Sequence, residues 1–207
     1  MDYVESAMSS RQNHPREGWR ERKRSQTRLS IAEAGLGLFL KQGFEATTLD
    51  AIAEAAGIAR RTFFHYFDSK EALIFAYDDE AEKSFRAALA GTPKDMLPMD
   101  VMTVAIQAMI ATFGTAKARA IDRLAHSCDV LHARKQLHYQ RLETLALSAL
   151  VEKWPAPDRH LPLRLVAMAG VGAIRIAVDQ WREDDGTRPL QDYVNDTLAI
   201  LRTQYKS

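Results

Sequence analysis

Between Arg60 and Phe67 the chain reads RRTFFHYF, two guanidinium groups, one imidazole and four aromatic rings in eight positions. On a helix, residues four apart share a face, so Phe63 and Phe67 turn together toward Ile52 and the helix that precedes it. Arg60, Arg61, Phe64 and His65 fall on the opposite arc. Arginine forms paired hydrogen bonds with guanine O6 and N7, worth roughly 1–3 kcal/mol of discrimination, and an outward phenyl ring can pack on a thymine methyl group. The chemistry this arc suits is readout of base edges in a DNA groove. Solvated arginines beside a peripheral Phe64 are the ordinary alternative; the basic stretch upstream favours the groove.

Two flanking positions suit phosphate. Lys70 stands in the first turn of a predicted fourth helix, where a cation meets the positive end of the macrodipole at a cost of about 0.3–1 kcal/mol. A docked phosphate would be held by the helix N-terminus and the ammonium together. Thr48, predicted to cap the second helix, can offer its hydroxyl and adjacent N–H groups in the same way. Simple capping with a flexible lysine is the alternative for both.

The elements that must position these side chains follow from helical periodicity, and alternating strand patterns are nearly absent. Leu29, Ala32, Leu36, Phe39 and Leu40 form a stripe ending at Gly43. Thr48 opens a short segment, LDAIAEAAG, closed by Gly57, and a third helix is predicted from about Ala59 to Phe67. Ala53 is small where two helices would cross, and Gly57 can take the left-handed conformation of a tight turn, as a helix-turn-helix needs. A fourth helix is expected to carry Leu73, Ile74, Ala76 and Tyr77. Beyond GTPKDMLP (91–98) the pattern predicts helices at roughly 99–115, 117–150, 162–183 and 190–205, with WPAPDRHLP (154–162) as the proline-rich interruption. The expected fold is all-α: a flexible basic extension (1–20), a three-helix DNA-binding domain (21–75) and a larger helical bundle (76–207).

Composition bounds the function. Apolar residues are 46% and charged residues 27% of 207 positions, ordinary for a globular chain. Net charge is only +1, but residues 11–28 hold seven Arg/Lys against two acids, so an anionic partner is expected at one end. The single cysteine, Cys128, rules out an internal disulfide. The first ten residues have no apolar run, and LVAMAGVGAIRIAV (165–178) is short for a membrane span and broken by Arg175, so a cytoplasmic location is expected. Catalysis is disfavoured. His126 and Cys128, two apart, point about 200° from one another on a helix; His132 and His138 are also off one face. No phosphate loop, nucleophile elbow or H-E-x-x-H is present. No cofactor or metal is expected.

Residues 28–75 resemble the DNA-binding domain of the tetracycline-repressor (TetR) family. The likeness runs through LF-x-x-x-GF-x-x-TTL, IA-x-x-AG-I and T-F-F-x-YF-x-SKEAL, about a quarter of the chain. It implies a homodimeric, ligand-responsive repressor of a palindromic DNA operator, with a variable carboxy-terminal ligand-binding domain. By position it assigns phosphate contacts to Thr48, Tyr66 and Lys70, with Thr47 beside them, and base or nearby backbone contacts to Arg60, Arg61, Thr62, Phe64 and His65. Phe64 stands where many members have tyrosine, leaving apolar readout alone. Gly35 and Gly37 inside the first helix are unusual, with close packing as the one physical reason to hand. Arg20, Arg24 and Arg28, four apart, are expected on phosphates or in an adjacent minor groove.

For the remainder the resemblance implies a dimer interface on the last two helices. The stripe Ala167, Gly170, Val171, Ile174 and Val178 suits close helix approach, and Val194, Thr197, Leu198, Leu201 and Tyr205 repeat on the last helix. Such stripes are core in any bundle, which is the alternative. An unknown small-molecule effector is expected near Met102, Met109, Phe113, Arg123, His126, Cys128, Arg175 and Trp181, since methionine adapts to irregular pockets and arginine pairs a carboxylate. The competing function is a helical ligand-binding or scaffolding protein without sequence-specific DNA binding.

Overall fold

The computed structural model describes residues 15–76, 78–112 and 115–204, and their regular structure is entirely helical. The chain divides into two compact units, Met1–Ala76 and Tyr77–Ser207.

In the first unit, α1 (Pro15–Gln42) precedes α2 (Leu49–Ala55) and α3 (Arg60–Tyr66), and a 3-10 turn follows at Lys70–Leu73. Of the predicted stripe on α1, Ala32, Leu36 and Phe39 are buried and Ile31 joins them, whereas Leu29 is half-buried and Leu40 is 53% exposed. Phe63 and Ile52 are both 0% exposed, and Phe67 joins them. Gly57 has φ +65°, the left-handed value its turn requires, and the Ile58 N–H closes the turn on the Ala53 carbonyl at 2.9 Å. Gly35 has a packing reason: a Cβ there would lie 2.4 Å from Leu73 Cδ1. Gly37 has no neighbour within 4 Å of its Cβ position, and nothing in the structure explains it.

Two boundaries differ from the sequence reading. α1 reaches back to Pro15, so residues 15–20 belong to the helix and not to a loose extension. Residues 70–73 form only a 3-10 turn, and the next helix starts at Asp78.

The second unit holds α4 (Asp78–Gly91), α5 (Pro98–Ile110), α6 (Thr115–Ser127), α7 (Asp129–Lys153), α8 (His160–Glu183) and α9 (Leu190–Gln204). Its core gathers Phe85, Met102, Ile106, Leu142, Ala146, Val171, Ala177, Trp181 and Val194. The helix expected at 117–150 is broken at Cys128, which takes extended angles (φ −149°, ψ 127°). The cause lies just upstream: His126 Nδ1 bonds the Asp122 carbonyl and Ser127 Oγ the Leu124 carbonyl, so side chains satisfy the last turn of α6. By length and apolar composition α8 with its leading turn could cross a membrane, but half of its most apolar window is buried inside this unit.

α4 and α7 are joined through a half-buried histidine. His138 Nδ1 lies 3.1 Å from Asp78 and 3.9 Å from Glu82 on α4, while Lys135 and Arg141 stand near it on its own helix. Burial, then Arg141 and Lys135, lower its pKa from 6.5 to about 4, so at neutral pH the ring is neutral beside these carboxylates. Because the folded value lies below the unfolded one, stability is lost as pH falls through about 6.5 and the loss is complete below about 4. Urea unfolding between pH 7.5 and 4.5 should therefore show the wild type losing more stability than His138→Gln, with a full difference on the order of 3 kcal/mol.

Candidate nucleic-acid interface

α3 is the element on which the recognition arc depends, and its sequence fixes which side faces in. Phe63 is wholly buried and Phe67 3% exposed, while Phe64 on the opposite side remains 47% exposed. The Phe63 ring meets Phe64 edge-on at 5.6 Å and Phe67 at 5.7 Å, so one inward anchor orients its neighbours. Arg60, Arg61 and His65 are exposed; Thr62 and Tyr66 are half-buried. His65 and Tyr66 rings stand edge to face at 5.2 Å. The arc expected from the spacing is therefore brought together on one surface.

Arg60 carries a partner that the sequence reading missed. Its Nη1 contacts both Asp50 oxygens, at 3.1 and 2.9 Å, bridging α2 and α3. Both side chains are more than half exposed, so the pair contributes only about 0–1 kcal/mol to stability. Its consequence is orientation: the remaining guanidinium donors make no bond among the described residues. The missed signal was an acid in the first turn of α2, ten residues before an arginine that opens α3.

Thr48 takes the predicted cap, its hydroxyl accepting from the Ala51 N–H at 3.1 Å while the residue stays exposed. Arg20 and Arg24 are exposed on α1, beside Trp19, which is 57% exposed and has the Lys23 ammonium 5.0 Å from its ring.

Three expected DNA contacts are corrected. Thr47 is 1% exposed, its hydroxyl donating to the Gly43 carbonyl at 2.7 Å and accepting from Gln42 Nε2 at 3.2 Å. Lys70 turns inward: its ammonium donates to the carbonyls of Phe44 (2.8 Å), Thr47 (3.2 Å) and Glu45 (3.4 Å) and sits 4.3 Å from the Phe44 ring. Three donors meet three acceptors, which holds the turn after α1 against the 3-10 turn. Arg28 lies over Phe67 at 4.8 Å and donates to the Ala76 carbonyl at 3.0 Å, so it closes this unit instead of reaching outward.

In the second unit the expected dimer stripe is corrected as a group. Ala167, Gly170, Val171, Ile174, Val178, Val194, Thr197 and Leu198 are all buried in the unit's own core. Gly170 is there for Met102, whose Cε lies 2.6 Å from the position of an added Cβ. Leu201 is half-buried, and Tyr205 lies outside the described residues. The opposite side of α8 is apolar too: Leu161, Leu165, Met168 and Ile176 are each about half exposed or more, and so is Ile200 on α9. The signal for them was available, since 161, 165, 168, 172 and 176 follow helical spacing as closely as the inward set.

The expected effector residues do not converge as a set. Met102 and Met109 are core, with Met102 fully buried. Arg175 bonds Gln136 at 2.8 Å and lies over Tyr139, His126 caps α6, and Cys128 opens α7. Phe113 lies outside the described residues. Arg123 and Trp181 share a cleft, together with Arg119, which the sequence reading overlooked. Among the described residues, no group of three or more His, Cys, Asp or Glu could hold a metal ion.

Comparison with known proteins places this geometry. Residues 31–77 match the family model for bacterial regulatory proteins of the tetR family. The chain is 34% identical over 127 residues to the HTH-type transcriptional regulator TcmR of Streptomyces glaucescens, covering 61% of this chain and 56% of that one. It is 29% identical over 115 residues to the HTH-type transcriptional repressor KstR2 of Rhodococcus jostii, covering 56% and 52%. The match therefore spans about half the length of each of these two relatives. In three dimensions it is similar to the Thermus thermophilus FadR, a TetR-family repressor solved with lauroyl-CoA, at TM-score 0.56 and 22% identity, covering 84% of this chain and 92% of that one.

The inward role of Lys70 has a measurable consequence. Lys70→Met leaves the carbonyls of Phe44 and Thr47 without their charged donor and should destabilise the first unit by about 1.5–3 kcal/mol in urea unfolding without DNA. A lysine serving only as a phosphate ligand would leave that unfolding midpoint unchanged.

Proposed function

We propose that this chain, whose residues 31–77 match the family model for bacterial regulatory proteins of the tetR family, is a ligand-responsive transcriptional repressor binding a palindromic operator as a homodimer. The observation that carries the DNA-binding part is the outward arc of α3, where Arg60, Arg61, Phe64 and His65 are exposed on a helix anchored by a fully buried Phe63. Arg61 and the remaining donors of Arg60 read guanine in the major groove, and Phe64 packs on a thymine methyl. Thr48, Thr62 and Tyr66 hold adjacent backbone, and Arg20 and Arg24 on the extended α1 neutralise phosphates. Asp50 sets the Arg60 guanidinium in place before DNA arrives, which lowers the ordering cost of the contact.

Dimerisation rests on the exposed side of α8. Leu161, Leu165, Met168 and Ile176 line one face at i, i+4, i+7 and i+15, and an apolar stripe of that length on a soluble helix marks an interaction surface. A second copy of the chain is its occupant, because a palindromic operator requires a two-fold pair of reading helices in successive grooves, about 34–36 Å apart. The effector acts on the carboxy-terminal unit, and a coupling of about 1–3 kcal/mol would change operator affinity roughly 5- to 150-fold.

Selection of bound sites from random DNA should return an inverted repeat. Binding to it should weaken steeply with salt, by a slope of roughly 0.9 per neutralised phosphate. Arg60→Ala with Arg61→Ala should abolish sequence preference while dimerisation persists; unchanged preference would remove these two arginines from base readout, and a wild type that selects no site would leave the scaffolding alternative standing. Leu165→Asp with Ile176→Asp should yield a folded monomer by light scattering, with operator binding reduced. Val171→Asp, on the inward face, should instead unfold the second unit.

A further inference from the structure

We infer that a cleft in the second unit binds a small carboxylate with a planar apolar body, of about benzoate size, between Arg119 and Arg123 on α6 and Trp181 on α8. The inference rests on the ligand-responsive reading above and gives its effector a site and a chemical class.

The cleft holds about 170 Å³ and is walled by α6, the end of α8 and the turn that follows. Its unusual member is Arg119. The Nε of this side chain is buried and has no hydrogen-bond partner among the described residues, and its guanidinium lies 5.8 Å from the Trp181 ring. An interior guanidinium N–H without an acceptor is costly, and a carboxylate placed in the cleft supplies one in fork geometry.

The backbone is shaped around that guanidinium. Gly186 has φ +60°, and its N–H closes the turn on the Trp181 carbonyl at 2.7 Å. A Cβ at Gly186 would lie 2.5 Å from Arg119 Nε and 2.6 Å from its Nη2, so only glycine lets Arg119 occupy this place.

The acids nearest Arg119 are engaged by other cations. Asp122 accepts from Lys135 at 2.6 Å and stands 3.5 Å from His126 Nδ1. Asp179 is taken by Arg182, which also reaches His126 Nε2. Arg123 makes no hydrogen bond or ion pair among the described residues. The lining carries three arginines against two aspartates, an excess of one positive charge.

Charge and size together choose the ligand. A single negative charge is matched by the excess, whereas a phosphate dianion would face Asp122 and Asp185 on the same walls. Trp181 supplies an apolar wall, its Nε1 already bonded to the Arg188 carbonyl at 3.1 Å. A cavity of about 150 Å³ accepts benzene, so this one suits an aromatic ring with its carboxylate turned to Arg119.

Titration calorimetry of the full chain with sodium benzoate, benzyl alcohol and inorganic phosphate tests the assignment without DNA. Benzoate should bind saturably, one per chain, and the other two at least about tenfold more weakly. Arg119→Met should weaken benzoate about 10- to 100-fold. Gly186→Ala, which removes no side chain but displaces Arg119, should weaken it as well, and Arg123→Met gives a third reading if either variant fails to fold by circular dichroism. Absence of benzoate binding, equal binding of benzyl alcohol or phosphate, or full affinity in the folded variants would overturn the inference. Because operator binding is measured separately, loss of the cleft leaves the DNA reading intact, and loss of DNA binding leaves the cleft.

Discussion

Turns and helix ends leave backbone carbonyls that no helix ladder satisfies, and this chain meets that demand with long cations. Lys70 reaches three carbonyls of the turn after α1. Arg28 reaches the Ala76 carbonyl. In the second unit Lys153 donates to Leu89 at 3.2 Å, to the Thr92 hydroxyl at 2.9 Å and to the Thr92 carbonyl, closing the end of α4. These three side chains tie elements far apart in sequence, and each also lies over an aromatic ring. Arg20, Arg24, Arg60 and Arg61 are among the cations of the first unit left facing solvent, and none of the four is bonded to a carbonyl among the described residues. The positive charge this surface displays is thus what remains after the fold has taken its share.

The same logic explains the precision of α3. The helix has seven residues, too short to be stable alone. It is held by Phe63 against Ile52, by the left-handed Gly57 turn and by Phe67 extending beneath Arg28. Seven residues with one fully buried ring can rotate little, so the outward positions are set by the inward one. The Asp50–Arg60 pair adds a constraint at the surface, where its small energy matters less than the direction it gives a guanidinium.

Much of the first unit was legible in the sequence because its cues are local. Gly57 needs a positive φ, Thr48 caps the helix that follows it, and Phe63 and Phe67 lie four apart. The errors at Lys70 and Arg28 arose where a partner lies far along the chain. Lys70 as a phosphate ligand was a reasonable local reading, but the acceptors are 23 to 26 residues upstream. Thr47 beside Thr48 looks equally hydroxylic, yet one faces Gly43 and the other solvent. The break at Cys128 escaped because helical periodicity continues through it; what ends α6 is a pair of side chains bonding back to their own carbonyls.

The case of α8 is different in kind. Both of its faces are apolar, one through Ala167, Gly170, Val171, Ile174 and Val178, the other through Leu161, Leu165, Met168 and Ile176. Periodicity identifies two stripes but not which belongs to the chain's own core. Side-chain size decides it in three dimensions. The small residues lie where α5 approaches closely, and a Cβ at Gly170 would collide with Met102 and crowd Ile106. Small residues mark close approach, and within one chain the closest approach is to its own neighbouring helix. The larger, flexible residues are left outside, where a partner helix can interdigitate without the backbone having to come near. The stripe suited to a tight crossing is therefore the intramolecular one, and the bulky stripe is the one left exposed.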